Sequence, residues 1–165
     1  MAGAVARYLE DDHTRIDTAL KRALDSDGHI EPEAYAEFRA ALLRHISMEE
    51  KILLPAARTA NGGDPLPQVA RLHLDHGALA ALLVPTPTKA IVESIRTILD
   101  RHNAIEEGTN GVYEQCELLQ GFETDAIFKK LQSAPRVAMA PHADSPIAFE
   151  SLRAALHRAG YSFDL

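Results

Sequence analysis

Histidine and glutamate recur at one fixed spacing in two separate segments of the sequence. Residues 45–50 are HISMEE and residues 102–107 are HNAIEE, so a histidine stands four residues before the first of two glutamates in each. The dipeptide Asp-His also occurs twice, at 12–13 and 75–76, each time ahead of one such segment. The order DH, HxxxEE, DH, HxxxEE indicates a half-unit that is used twice.

This spacing places a histidine and a glutamate on one helix face, because residues four apart are separated by about 40° around the axis and about 6 Å along it. His45 and Glu49 therefore project together, and so do His102 and Glu106. Imidazole nitrogens and carboxylate oxygens are both metal ligands. Two such faces turned inward would direct two imidazoles and two carboxylates at one point.

The two Asp-His histidines, His13 and His76, are expected to join them. Each is followed by apolar residues at three and seven positions, which is the spacing of a buried helical stripe. These apolar residues are Ile16, Leu20, Leu79 and Leu83. Both histidines are therefore predicted to enter the core from two further helices.

Buried as isolated groups, four histidines and two glutamates would destabilise the fold, since an unpaired buried ion costs several kcal/mol. Metal ions that accept their lone pairs remove this cost. Six ligands exceed the four of a single zinc site, so the number favours two metals, and carboxylates between imidazoles suit iron better than manganese. Without a metal, an HxxxE pair could be exposed to solvent or hydrogen-bonded within the core. This alternative explains one such segment but not its repetition.

Four long segments with apolar residues at helical spacing are predicted to carry these groups. They cover about residues 3–25, 32–60, 67–84 and 88–119. Pro55 should kink the second segment or end its regular part. Thr88 is the expected N-cap of the fourth segment, which Gly108 and Gly111 interrupt or end.

Four long helices with short connections predict an all-α fold, an antiparallel up-and-down four-helix bundle with additional short C-terminal helices. A short helix is expected at about 122–132, then an extended linker and a final helix at about 147–160. The expected domains are the bundle, residues 1–132, and a linker with a helical extension, residues 133–165. The extension should pack along the bundle, with an oligomer contact as the alternative.

Composition narrows the function classes. A formal net charge of -7 and the lack of any Lys/Arg run argue against binding to nucleic acid or to an anionic membrane. No apolar run approaches the roughly 20 residues of a membrane helix, and the N-terminus turns acidic too early for a secretory signal. The single cysteine, Cys116, fits a reducing compartment, so a soluble cytoplasmic protein is expected.

The order H…HxxxE…H…HxxxE across four helices resembles the hemerythrin-like, or HHE cation-binding, domain family. The resemblance covers about residues 5–120 and is carried by His13, by HISMEE with the following KILLP, by the LDH at 74–76 and by HNAIEE. It implies a four-helix fold, a non-haem di-iron centre with carboxylate and oxo or hydroxo bridges, and dioxygen-related chemistry. Ferritin-like di-iron bundles are similar but use a Glu-x-x-His unit, whereas here the histidine comes first.

Carried onto this chain, the resemblance makes four histidines terminal ligands and two glutamates bridging ligands. These are His13, His45, His76 and His102, with Glu49 and Glu106. The oxygen-carrying hemerythrins have histidines four apart on the third helix, whereas His73 and His76 are three apart. His73 is therefore a candidate further ligand, a hydrogen-bond donor beside the site or a surface residue. The carriers also have an aspartate ligand where this chain has Glu107, so Glu107 is an alternative to Glu106 as a ligand. The departures at His73 and at Glu107 both weigh against reversible oxygen carriage.

Other polar residues have weaker claims. Asp12 and Asp75 are candidate hydrogen-bond acceptors, but adjacent residues point about 100° apart, which favours a solvent-facing position. Glu50 is expected to be a surface charge. Tyr8, Tyr35 and Tyr113 are expected to be packing residues, with a phenolate ligand as the alternative if an iron lacks His73. The residues expected outside the site are the exposed His29, His142 and His157, and a buried Cys116 thiol.

The leading functional expectation is a di-iron protein that binds O2, NO or peroxide as its small-molecule partner. The alternatives are a di-iron enzyme that decomposes peroxide or reduces NO, an iron storage, delivery or iron–sulfur repair protein, and a sensor that signals through a partner. No nucleic-acid or membrane partner is expected, and a protein partner or homodimer is left open.

Overall fold

The chain folds into helices, as a computed structural model that describes residues 2–165 shows. No β-strand occurs within this range; one isolated antiparallel bridge joins Leu24 to Ile30 where the chain reverses after the first helix. The elements are α1 Ala4–Ala23, α2 Pro32–Met48, a π-helical turn Glu49–Leu53, α3 Leu54–Ala60, α4 Val69–Leu82, α5 Lys89–Glu106, α6 Val112–Leu118, α7 Thr124–Gln132 and α8 Pro146–Arg158. The predicted all-α class is confirmed.

The second predicted helix changes its winding just before Pro55. Proline has no N–H to donate, and its ring crowds the carbonyl four residues earlier, which belongs to Lys51. The helix widens there, so that the N–H of Leu54 donates to the carbonyl of Glu49, five residues back. The predicted ligand Glu49 therefore begins a π-helical turn, a feature that is frequent at functional sites.

Side chains cap the helices that carry the site. The hydroxyl of Thr88 accepts the N–H of Ile91 at 3.2 Å, which confirms the predicted N-cap of α5. At the start of α1, Glu117 of α6 accepts the N–H of Val5 at 2.9 Å. A Cβ at Gly3 would lie 2.3 Å from Oε2 of Glu117, so a larger residue would displace this carboxylate from its present position. The cap fixes α6 against α1.

A layer of polar side chains separates two apolar clusters in the interior. The first cluster contains Ile16, Leu42, Leu79 and Leu99, and the second contains Leu9, Met48, Leu72 and Val112. On α1, for example, Leu9 and Ile16 belong to different clusters and His13 lies between them. The predicted apolar stripe of α1 is buried, with Leu9 0% and Ile16 3% exposed. Apolar side chains therefore flank the polar layer on both sides.

The C-terminal segment packs on the rest of the chain. Leu152 and Leu156 of α8 are buried in the first apolar cluster, and α8 lies against α4. The N–H of Ala143, in the connection before α8, donates to the carbonyl of Val84 at 3.0 Å. The division into domains at residue 132 stays a prediction. Within the described range, no helix combines the length and apolar character that crossing a membrane requires.

Candidate metal centre

The repeated motif residues meet in the polar layer. They are His13 of α1, His45 of α2, Glu49 of the π-helical turn, His76 of α4, and His102 and Glu106 of α5. None is more than 6% exposed. Their nitrogen and oxygen atoms form two clusters that share both glutamates, and His13 and His45 complete one while His76 and His102 complete the other.

Each shared carboxylate places one oxygen in each cluster. In the first cluster, Oε1 of Glu49 lies 3.3 Å from Nε2 of His45, and Oε2 of Glu106 lies 3.2 Å from Nε2 of His13. In the second, Oε2 of Glu49 lies 3.0 Å from Nε2 of His76. Oε1 of Glu106 correspondingly lies 2.9 Å from its helical neighbour His102. This is the arrangement by which two carboxylates can bridge two metal ions.

The outer nitrogen of every imidazole faces a second carboxylate. The pairs are His13 Nδ1 with Glu107 at 2.5 Å, His45 Nδ1 with Asp12 at 2.7 Å, His76 Nδ1 with Glu50 at 2.6 Å, and His102 Nδ1 with Asp75 at 3.3 Å. An ionised carboxylate only accepts, so each Nδ1 donates and each Nε2 is turned toward the centre. The two residues of each Asp-His and Glu-Glu pair therefore have different roles. One enters a cluster, and the other orients a histidine on another helix.

The expectation that Asp12 and Asp75 face solvent is wrong, whereas the Glu50 side chain is 29% exposed and also contacts His76. Asp12 is 7% exposed and Asp75 is 1% exposed. Neighbouring residues on a helix do point about 100° apart. In this fold, that direction leads to the histidine of the adjacent helix, so each acid reaches across a helix–helix contact. Glu107 likewise lies against His13, at the outer side of the ring.

Further groups hold two of these carboxylates in place. Arg15 donates to Oδ1 of Asp12 at 2.7 Å and 3.1 Å. Oδ1 of Asp75 accepts from Arg71 at 2.5 Å and from the hydroxyl of Tyr161 at 2.9 Å. Arg71 also donates to the carbonyl of Ala159 at 2.7 Å. The C-terminal segment therefore reaches the metal-centre residues through Asp75.

The sequence favours a packing role for Tyr113 of α6, with a phenolate ligand as the alternative, whereas the structure places its hydroxyl among the candidate ligands. Its hydroxyl donates to Glu49 at 2.5 Å and lies 3.0 Å from Oε2 of Glu106. It also lies 3.0 Å from Nε2 of His13 and 3.3 Å from Nε2 of His45. The phenol thus occupies the middle of the first cluster, as a proton donor or a phenolate ligand would.

The approach of Tyr113 depends on a tight turn after α5. Asn110 has φ 63° and Gly108 has φ 77°, both in the left-handed region. A Cβ at Gly111 would lie 2.3 Å from the carbonyl oxygen of Glu107. No helical periodicity relates Tyr113 to Glu106 across this turn, so the only signal in the sequence is that the two residues lie seven positions apart.

The centre attracts positive charge. Burial opposes protonation of His13, but Glu106 and Glu107 outweigh it and raise the pKa to about 10. Burial likewise opposes protonation of His76, yet its neighbours Glu49 and Glu50 raise the pKa to about 10. In the other direction, burial would raise the pKa of Glu49, but the imidazoles lower it well below its ordinary value. Protons or metal ions can supply this charge.

Two buried carboxylate oxygens of the second cluster can serve as metal ligands. Oε2 of Glu49 and Oε1 of Glu106 are buried and accept no hydrogen bond from the described residues. In the same cluster, Nε2 of His76 lies 3.1 Å from Nε2 of His102, and a neutral imidazole that donates through Nδ1 carries a lone pair there. When both imidazoles are neutral, the atoms that face one another in the second cluster are all acceptors, and a metal ion can bind them. The nitrogen and oxygen donor set suits iron.

His73 lies outside the two central clusters. Its side chain is 51% exposed, and its Nδ1 lies 2.7 Å from Oε1 of Glu50. His73, Glu50 and His76 form a third group at the rim. Ligation by His73 stays a prediction. The histidines outside the repeat are exposed, and the Cys116 thiol is buried, both as predicted.

Comparison with known proteins gives one match. The sequence model of the family described as hemerythrin HHE cation binding domain matches residues 4–112. This range contains all six histidine and glutamate residues of the two clusters. Tyr113 follows the range directly, and Tyr161 also lies outside it. No curated protein and no solved structure matches the chain.

Proposed function

The chain belongs to the hemerythrin HHE cation-binding domain family, and from that membership we propose that it is a non-haem di-iron protein that binds dioxygen, nitric oxide or peroxide. The observation that supports this most is the convergence of four imidazole nitrogens and four carboxylate oxygens on two adjoining clusters. Buried acceptors in this number would destabilise the core unless cations bound them. The cation-binding character of the family agrees with this chemistry.

In the proposed centre, His13 and His45 would hold one iron, and His76 and His102 would hold the other. Glu49 and Glu106 would bridge them, since each has one oxygen in each cluster. A bound iron pair supplies two electrons for the reduction of a small molecule. The outer carboxylates keep the imidazoles in the metal-binding tautomer.

Tyr113 favours a second candidate function, the decomposition of peroxide. Its hydroxyl is a buried proton donor beside Glu49 and Glu106, and reversible binding of a small molecule requires no such group among the ligands. A donor at this point can hydrogen-bond to a small molecule and deliver a proton to it. Burial of the ligands weighs against rapid delivery of iron to other proteins.

We further propose that α1, α2, α4 and α5 form the antiparallel up-and-down bundle predicted from the sequence. Each of these helices supplies one histidine to the centre. The reversal at the Leu24–Ile30 bridge supports opposite directions for α1 and α2. Cytoplasmic location and a protein partner stay predictions.

Metal analysis of purified, iron-loaded protein tests the proposal. Wild-type chain should hold two irons, and Glu49→Ala should hold one or none because both clusters lose an oxygen. Glu37→Ala, which removes an exposed glutamate from α2, is the matched control and should keep two. Unchanged iron content in a folded Glu49→Ala protein would remove Glu49 from the ligand set.

Spectroscopy and gas release separate the two candidate functions. A small-molecule adduct should give a visible charge-transfer band, which for reversible oxygen binding vanishes on deoxygenation. Decomposition of peroxide should release O2 in proportion to bound iron, and Tyr113→Phe should slow it by about tenfold to a hundredfold if the hydroxyl delivers protons. Iron-loaded protein that shows neither behaviour would contradict both candidates.

A further inference from the structure

A cavity of about 400 Å³ reaches from the surface to the ligand cluster that contains His13 and His45. Its inner end is lined by His13, His45 and Glu49, and also by His102 of the second cluster. A diatomic molecule needs about the volume of one water molecule, roughly 30 Å³. The cavity is therefore far larger than O2, NO or peroxide requires, and its size is typical of sites for organic ligands.

The middle of the cavity is apolar. Its walls are formed by Ile16, Leu20, Leu42, Ile46, Leu79 and Leu99. These side chains come from α1, α2, α4 and α5, which are the helices that supply the histidines. A hydrocarbon chain or ring would lose contact with water here without leaving any polar group unpaired.

The mouth of the cavity carries charged side chains, of which only Arg96 is half-buried. Lys21 and Asp17 are exposed and form an ion pair of 2.6 Å, and Asp100 is also exposed. Water therefore solvates these three groups. Arg96 is positively charged and less solvated than these groups, so a negatively charged end of a ligand is favoured at the mouth.

Arg96 and Asn103 both have polar atoms that lack a partner. Nε of Arg96 and Oδ1 of Asn103 are buried, and neither is hydrogen-bonded to any residue in the described part of the chain. Both residues line the cavity, seven positions apart on one face of α5. Buried polar atoms are normally hydrogen-bonded, so two that are not, in one cavity, indicate a polar ligand group between them.

We propose that this cavity binds an amphiphilic organic carboxylate of about eight to ten carbons. The ionised carboxylate pairs with the guanidinium of Arg96, and a hydroxyl next to the carboxylate would donate to Oδ1 of Asn103. The apolar end extends along the leucine and isoleucine walls toward the first cluster. That this end meets an iron site depends on the function proposed above; the cavity and its unpaired polar atoms do not.

Calorimetric titration of the iron-loaded protein with octanoate tests this inference. One octanoate should bind per chain, and affinity should rise by about fourfold for each methylene from butanoate to octanoate. Arg96→Gln should weaken octanoate binding by about tenfold or more while leaving 1-octanol binding unchanged. Lys21→Gln, which removes an exposed cation from the same mouth, is the matched control and should bind octanoate as wild type does.

A second variant tests the position of the ligand. Ile46 is a half-exposed wall residue, so Ile46→Phe should narrow the cavity without disturbing the buried core. This variant should keep two irons and lose octanoate. Octylammonium that binds as tightly as octanoate, or octanoate that binds Arg96→Gln as tightly as wild type, would overturn the proposal.

Iron content measured on the same samples separates this inference from the proposed function. A chain with two irons that does not bind octanoate refutes the cavity assignment alone. A chain without iron that still binds octanoate through Arg96 supports the cavity assignment and refutes the di-iron function.

Discussion

Asp12 accepts the Nδ1–H of His45 at 2.7 Å, across two helices, although its neighbour in sequence is His13. The equivalent aspartate of the second half, Asp75, lies in the same way against His102 and not against His76. The residue that precedes each Asp-His histidine therefore orients the histidine of the following HxxxEE segment. This relationship accounts for the aspartates of the repeat.

We expect Asp12→Asn to weaken iron binding by about tenfold to a hundredfold, which is the usual effect of losing a carboxylate that orients a metal-bound histidine. The amide retains the size of the side chain but not its charge. Asp11→Asn, an exposed neighbour, is the matched control and should leave the affinity unchanged. Competition with a chromophoric chelator measures both, and equal affinities for the two variants would contradict the role of Asp12.

Tyr161→Phe should weaken the second cluster selectively. The substitution removes the hydroxyl that donates to Asp75 at 2.9 Å, and Asp75 in turn orients His102. Iron titration should then show one site of wild-type affinity and one weakened by about threefold to tenfold, in line with the loss of one hydrogen bond. Tyr8→Phe is the control, because the Tyr8 ring packs edge-on against Phe128 and Tyr8 is not part of the metal-ligand clusters. Equal weakening of both sites would point to a general loss of structure.

Two glycine substitutions should change stability in opposite directions. A Cβ at Gly111 would meet the carbonyl oxygens of Glu107 at 2.3 Å and Glu106 at 2.4 Å, so Gly111→Ala should lower the free energy of unfolding by about 1–3 kcal/mol. A Cβ at Gly77, inside α4, meets no described atom within 4 Å. Gly77→Ala should therefore stabilise the protein by up to about 1 kcal/mol. Urea denaturation measures both, and a neutral Gly111→Ala would contradict the tight turn.

In the iron-free protein, the free energy of unfolding should fall as the pH rises. The folded-state pKa of His13 and His76 is raised from 6.5 to about 10, and that of His102 to about 9. Groups with a raised pKa stabilise the fold fully below pH 6.5 and lose that contribution as the pH passes the folded value. Urea denaturation of the iron-free protein at pH 6.5 and pH 10 should show this loss. The iron-loaded protein, in which the metal replaces these protons, should lose less, and equal losses would contradict the prediction.

Local geometry made much of the centre predictable. The four-residue spacing of His45 and Glu49 requires only that the segment be helical, and the π-helical turn begins at Glu49 without separating the pair. The helix ends were predictable for a similar reason, since Pro55 and Thr88 act through their own backbone and side chain. A pattern that is read within one helix needs no knowledge of how the helices pack.

The rest of the site depends on contacts between elements and could not be predicted in this way. Tyr113 enters the first cluster only because the chain turns sharply at Gly111, and Asp12 reaches His45 only because α1 lies beside α2. Tyr161 lies 86 residues from Asp75 along the chain. No spacing rule relates such residues, because tertiary packing determines their distances.

The four carboxylate–imidazole pairs form a closed circuit through both halves of the chain. Glu50 of the first half orients His76 of the second, and Glu107 of the second orients His13 of the first. A fragment that ended after α3 would leave His13 unsupported and Glu50 without an imidazole. Two such fragments that met face to face would restore the missing pairs to each other, so the smallest self-sufficient form of this centre is a pair of half-units, whether joined by a linker or not.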